Sequence, residues 1–212
     1  MRKYVAEFIG TFGLVFTICC TVLQKAGLAP IAIGAALMVM VFAGGHVSGA
    51  HFNPAVTLAV FLRGKCAAAD VVPYWAAQVA GAAAAAGVAR YVTDITPGPT
   101  SSFTGSQSGR ALVAEIVFTF LLAYVVLNVA TNADTDGNSF YGLAIGFTVL
   151  TGAVAVGGIS GGAFNPAVAV GISVAGLSDW ANIWVYLVGC FGGAAVAAFV
   201  YKALNPEPAA TS

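Results

Sequence analysis

The sequence predicts an all-α membrane protein: six transmembrane helices plus two re-entrant half-helices, arranged as two inverted three-helix repeats. Three observations carry that prediction. Of 212 residues, 59% are hydrophobic and 8% charged, whereas a soluble domain carries about a quarter charged residues. Six apolar segments approach the roughly 20 residues that a helix needs to cross a bilayer core. A polar phrase is written twice, SGAHFNPAV at 48–56 and SGGAFNPAV at 160–168, with seven of nine letters unchanged.

The elements follow in order. The first segment, about 4–24, opens MRKYVAEF; it is too long for the apolar core of a secretion signal and lacks a clear cleavage site, so it is expected to stay as a helix. The second covers about 30–47. Residues 48–70 hold the first copy of the phrase and then a short apolar run, AVTLAVFL, about half a crossing in length. The third segment is about 72–92. A polar stretch rich in Gly, Pro and Ser, 94–109, reads as a linker, dividing one transmembrane domain (1–212) into a first repeat, 1–93, and a second, 110–212. The second repeat runs through about 110–131 and 139–157, the second phrase with AVAVGISVAG inside 158–181, and about 182–204.

The repetition exceeds the phrase. A shift of 112 residues lays Ala32-Ile33-Gly34 on Ala144-Ile145-Gly146 and Gly81 on Gly193; a shift of 108 lays Ala6-Glu7 on Ala114-Glu115. Three crossings per repeat is an odd number, so the second repeat enters the membrane from the opposite face. Arg2, Lys3, Arg63, Lys65 and Lys202 fall on one side, Lys25, Arg90 and Arg110 on the other. That bias puts both termini in the cytoplasm and makes the chain an integral, multi-pass membrane protein whose solvent is lipid bilayer.

Composition also excludes functions. Eight basic and eight acidic residues sum to zero net charge, which leaves no electrostatic case for nucleic acid. Cys19, Cys20, Cys66 and Cys190 have neither metal-ligand nor redox spacing and read as packing residues. No metal or cofactor is expected. An enzyme is not expected either: there is no nucleophile–base pair, ligand cluster or phosphate loop.

The repeated phrase carries the chemistry. Asn is a strong helix N-cap and Pro is favoured at the first helical position. Asn53-Pro54-Ala55 and Asn165-Pro166-Ala167 are therefore helix starts. Gly44, Gly45, Gly49, Gly157, Gly158, Gly161 and Gly162 precede them and are expected to give a non-helical descent, tolerated at that depth only when buried in protein or lining a wet cavity. With the repeats inverted, the two half-helices meet near the midplane by their N-termini, each carrying roughly half a positive charge. Each Asn carbonyl serves its own helix, and its NH2 donors are expected to be free. Such a site welcomes neutral acceptors and opposes cations, hydronium included.

These residues resemble the aquaporin, or major intrinsic protein, family. The carriers are SGAHFNPAVT at 48–57, SGGAFNPAV at 160–168, AEFIGTF at 6–12 and AEIVFTF at 114–120, and the likeness covers nearly the whole chain. It implies a pore in every subunit, a passive channel for water and small neutral solutes, and a homotetramer.

Glu7 and Glu115 are the acids deep inside predicted spans, where an ionised group costs about 2.5–3.5 kcal/mol on insertion scales. A proton relay is one reading. The other is a brace, each carboxylate accepting from backbone N–H groups of a re-entrant loop, and the equivalent repeat positions favour it. Gly34, Gly81, Gly146 and Gly193 read as points where helices approach closely. His46 and His51 are placed in the first re-entrant loop, facing the pore or pinning the loop, with His46 near the cytoplasmic mouth.

The resemblance also marks a departure. Strict water channels of the family have an aromatic residue, a His and an Arg among four filter positions. Counting from the Asn-Pro-Ala motifs, the same positions here are Ile33, Ala153, Gly162 and Val168. A filter without the Arg is expected to be wider, apolar and uncharged, with glycerol, urea, ammonia and hydrogen peroxide as candidate permeants. A coupled secondary transporter, which also uses inverted repeats and broken helices, and a closed-pore structural protein are the alternatives.

Overall fold

The computed structural model describes residues 1–206; residues 207–212, the end of the second repeat, lie outside the described residues. The helices are α1 (Arg2–Leu23), α2 (Ala29–Ser48), α3 (Pro54–Leu62), α4 (Ala68–Thr93), α5 (Ser106–Thr131), α6 (Tyr141–Ser160), α7 (Pro166–Val174) and α8 (Ile183–Leu204), with short 3-10 turns at Ala133–Thr135 and Trp180–Asn182. Six are long and apolar enough to cross a membrane. The half-helices α3 and α7 have nine residues each, about 13 Å at 1.5 Å per residue, less than half of a ~30 Å hydrocarbon core. Ile9, Val117, Phe147 and Phe199 point outward, the positions where a water-exposed surface would carry charge.

Within each repeat the first and last helices pair, α1 with α4 and α5 with α8, while α2 meets α6 across the repeats. Each half-helix leans on the last helix of the other repeat, α3 on α8 and α7 on α4. Glycine permits the closest approaches. A Cβ on Gly34 would stand 2.8 Å from the Gly146 carbonyl oxygen, and one on Gly146 would run into Gly34 O. In the two repeat pairs, a Cβ on Gly81 would lie 2.5 Å from Phe8 O, and one on Gly193 would run into Ile116 O. With no hydrophobic drive between helices in lipid, this contact distance decides their packing.

The structure corrects three boundaries. Ser106–Gly109, expected in the linker, form the first turn of α5; polar composition does not stop a helix where water can satisfy its first N–H groups. The remaining linker is held down. Asn182 accepts from Phe103 N at 2.7 Å and donates to Ser101 O at 3.2 Å. Gly44, Gly45, Gly157 and Gly158 are helical, not part of a descent. At Gly44 the lack of a side chain serves packing, since a Cβ would come 2.8 Å from Phe52 Cζ. The chain leaves the helices only at Gly49 (φ 83°) and Gly161 (φ 89°), in the left-handed conformation that glycine adopts without steric cost. It follows that His46 does not lie in the re-entrant loop. It sits in the last turn of α2, exposed on the surface of the chain, and lines neither of the two cavities described below.

Candidate pore at the facing half-helices

Residues 49–53 and 161–165 are two short non-helical segments that drop from α2 and α6 to the starts of α3 and α7. Their backbones are unusual: Ala50 (φ 51°), Phe52 (φ 49°) and Phe164 (φ 49°) are left-handed without being glycine, at a cost of about 1–2 kcal/mol each. Something must over-determine them, and two buried carboxylates do. Glu7 Oε1 accepts from Ser48 Oγ at 2.6 Å and His51 N at 3.0 Å; Oε2 accepts from Phe52 N at 2.6 Å and Gln78 Nε2 at 2.8 Å. Glu115 repeats this with Ser160 Oγ at 2.7 Å, Ala163 N at 3.0 Å and Phe164 N at 2.7 Å. Its fourth neighbour is the Cys190 thiol at 3.7 Å. Backbone N–H groups point at both oxygens of each side chain, donors that only an acceptor oxygen satisfies.

Further side chains hold the same segments. Tyr74 donates to Ser48 O at 2.8 Å and Tyr186 to Ser160 O at 2.7 Å. Trp75 Nε1 donates to Pro54 O at 3.0 Å. Sequence reasoning passed over Ser48, Ser160, Tyr74, Tyr186 and Gln78. For the serines and tyrosines a signal existed: each pair coincides under the 112-residue shift. Gln78 is matched by Cys190 under that shift and looks like an isolated amide in an apolar helix.

The asparagines meet across the repeats. Asn53 Oδ1 accepts from Ala55 N at 2.8 Å and Asn165 Oδ1 from Ala167 N at 2.9 Å, capping α3 and α7 directly before Pro54 and Pro166. The amide nitrogens are not wholly free, contrary to expectation. Asn53 Nδ2 donates to Phe164 O at 2.8 Å, and Asn165 Nδ2 donates to Phe52 O at 2.9 Å. Each Asn thus reaches the residue that precedes the other, and the crossed pair ties the two half-helix starts together. A primary amide has two N–H groups, so one remains on each. Both asparagines line a cavity.

That cavity, of about 290 Å³, lies on the linker side of the pair and reaches Val22 and Ala29 at the ends of α1 and α2. Ile33, Ala153, Gly162 and Val168 all line it, and among its described lining residues there is no Asp, Glu, Lys or Arg. A second cavity, of about 740 Å³, opens on the side of the termini, with Arg63, Lys65, Asp136 and Asn132 in its wall. The two share Ala50, His51, Val126 and Ile145. Among the described residues no three His, Cys, Asp or Glu side chains are grouped to hold a metal ion, and the cysteines are free thiols.

Six spanning helices around end-to-end cavities, with two opposed helix N-termini between them, define a passive membrane channel for water and small solutes. The chain belongs to the major intrinsic protein family, whose model matches residues 1–201. It is 38% identical over 216 residues to a glycerol uptake facilitator protein-like 6 of Lactiplantibacillus plantarum, covering 98% of this chain and all of that one. It is 37% identical to the rice aquaporin NIP1-4, covering 97% of this chain and 77% of the relative. In fold it is similar to the crystal structure of an aquaglyceroporin from Plasmodium falciparum, with a TM-score of 0.83, 24% identity and 97% of each chain covered.

Proposed function

We propose that the channel conducts small neutral solutes of the glycerol and urea class as well as water, and that Ile33, Ala153, Gly162 and Val168 form its filter. The supporting observation is the linker-side cavity, which contains all four residues and no charged side chain. Aliphatic walls favour the carbon skeleton of a polyol, and the absence of a fixed positive side chain leaves room for it. The glycerol facilitator name of the bacterial relative agrees with this reading. Exclusion of protons and cations then rests on Asn53 and Asn165, with the positive ends of α3 and α7 behind them. Glu7 and Glu115 act as braces, and Gly34, Gly81, Gly146 and Gly193 set the helix crossings. The assembly is a homotetramer with both termini in the cytoplasm.

Val168→Arg tests the filter. In proteoliposomes the variant is expected to lose most glycerol and urea flux while water flux persists. Equal glycerol flux in variant and wild type contradicts the assignment.

A further inference from the structure

We propose that His51 is a hydrogen-bond acceptor for solutes in transit, held with Nδ1–H turned to Thr57 and a bare Nε2 turned to the passage. It would favour permeants that carry O–H or N–H groups. The inference rests on the channel reading and deepens it.

The argument begins at Thr57, whose hydroxyl is fully buried. Its Oγ1 lies 3.0 Å from Asn53 O, 3.0 Å from Gln78 Nε2 and 3.1 Å from His51 Nδ1. Gln78 Nε2 donates to Glu7 Oε2 as well. Flipping that amide would face its oxygen with a carboxylate, so Gln78 is a donor to Thr57. A hydroxyl has one hydrogen and two lone pairs. With its hydrogen on Asn53 O and one lone pair taken by Gln78, the other lone pair accepts Nδ1–H, and Thr57 makes three bonds. The reverse arrangement, Thr57 donating to a bare Nδ1, makes two and leaves a buried lone pair empty. Because buried polar groups are costly when unpaired, the three-bond arrangement decides the tautomer.

A neutral imidazole with Nδ1–H has its lone pair on Nε2. That nitrogen has no hydrogen-bond partner among the described residues and is not among the sealed, unpartnered polar atoms. His51 lines both cavities, at their junction. Its ring is braced 5.0 Å from that of Tyr74, and its Nε2 edge lies over Gly49, where a Cβ would stand 3.3 Å away. The repeat counterpart is Ala163, so the linker-side half has no equivalent ring. A solute leaving the asparagines, which offer N–H, therefore meets a side-chain acceptor next on the termini side. An O–H or N–H group satisfies it; a solute without one leaves it unpaired.

The chain contains two histidines, so protein labelled with 15N-histidine in liposomes gives two sets of ring resonances, and His51→Asn identifies those of His51. At neutral pH we expect protonated Nδ1 and unprotonated Nε2, with the Nε2 resonance moving when glycerol is added. A proton on Nε2, or an Nε2 resonance indifferent to glycerol, overturns the proposal. Flux supplies the second arm. His51→Asn keeps a polar group toward Thr57 and removes the acceptor, so the glycerol-to-water permeability ratio should fall about 2- to 12-fold, the worth of one neutral hydrogen bond. His51→Gln, which returns an amide oxygen near the Nε2 position, should restore it; an unchanged ratio in His51→Asn counts against the role. If wild-type liposomes pass neither water nor glycerol, the channel reading fails by itself, whatever the resonances show.

Discussion

Replacing Glu7 by Gln converts one acceptor oxygen into an NH2 donor in a site where all four neighbours are donors. With the new NH2 in the Oε2 position, it opposes Phe52 N–H and Gln78 Nε2–H; in the Oε1 position, it opposes His51 N–H, and the Ser48 hydroxyl can accept it only by giving up its own acceptor. Gln78 can turn its amide to help only if Thr57 moves its hydrogen from Asn53 O to the Gln78 oxygen. Two bonds to a charged group are lost either way, at about 1.5–3 kcal/mol each, hence a destabilisation of about 3–6 kcal/mol, moderated because a buried charge is also removed. Glu115→Gln has an easier exit: an NH2 in the Oε2 position opposes one strong donor, Phe164 N–H, and a thiol at 3.7 Å, which is a weak donor. It should cost about half as much. The assay is denaturant unfolding of both purified variants in detergent, followed by tryptophan fluorescence, with water permeability per folded protein as a second readout. Glu7→Gln should be the less stable and the less permeable of the two. Equal stabilities, or a more stable Glu7→Gln, would refute the reasoning from donor counts.

Two further predictions concern the repeat pairs. Gly81→Ala and Gly193→Ala each press a methyl group on a facing backbone carbonyl and should destabilise by about 1–3 kcal/mol as overpacking does. Gly87→Ala, where a Cβ meets nothing within 4 Å, should leave unfolding midpoints unchanged or raised. Asn53→Ala and Asn165→Ala each remove a cap worth about 0.5–2 kcal/mol and strand a buried carbonyl of the other repeat. Because their cross-repeat bonds are 2.8 and 2.9 Å, the two should lose stability alike, unlike the glutamate pair, as thermal unfolding in detergent would show.

The spans and half-helices were legible because they depend on local signals: apolar length, and an Asn-Pro start that caps a helix by itself. Glu7 and Glu115 stood out because an acid in an apolar span is rare. Legibility ended where function depends on what lies opposite. Nothing local says that Asn53 reaches Phe164 O, or that Gln78 serves both Glu7 and Thr57; those partners are 111, 71 and 21 residues apart. Glycines misled for the same reason. In Gly44-Gly45 and Gly157-Gly158 composition resembles a break, yet lipid leaves backbone groups no partner outside the helix, so α2 and α6 continue to Ser48 and Ser160 and carry His46 out of the loop.

Swelling of proteoliposomes by stopped flow is the most direct test of the whole account. Purified wild-type protein should raise water and glycerol permeability well above that of empty liposomes. Flux should rise in proportion to the solute gradient, without saturation and without dependence on a proton or sodium gradient. Permeability no greater than that of the lipid alone, or transport that requires an ion gradient, would contradict a passive passage between Asn53 and Asn165.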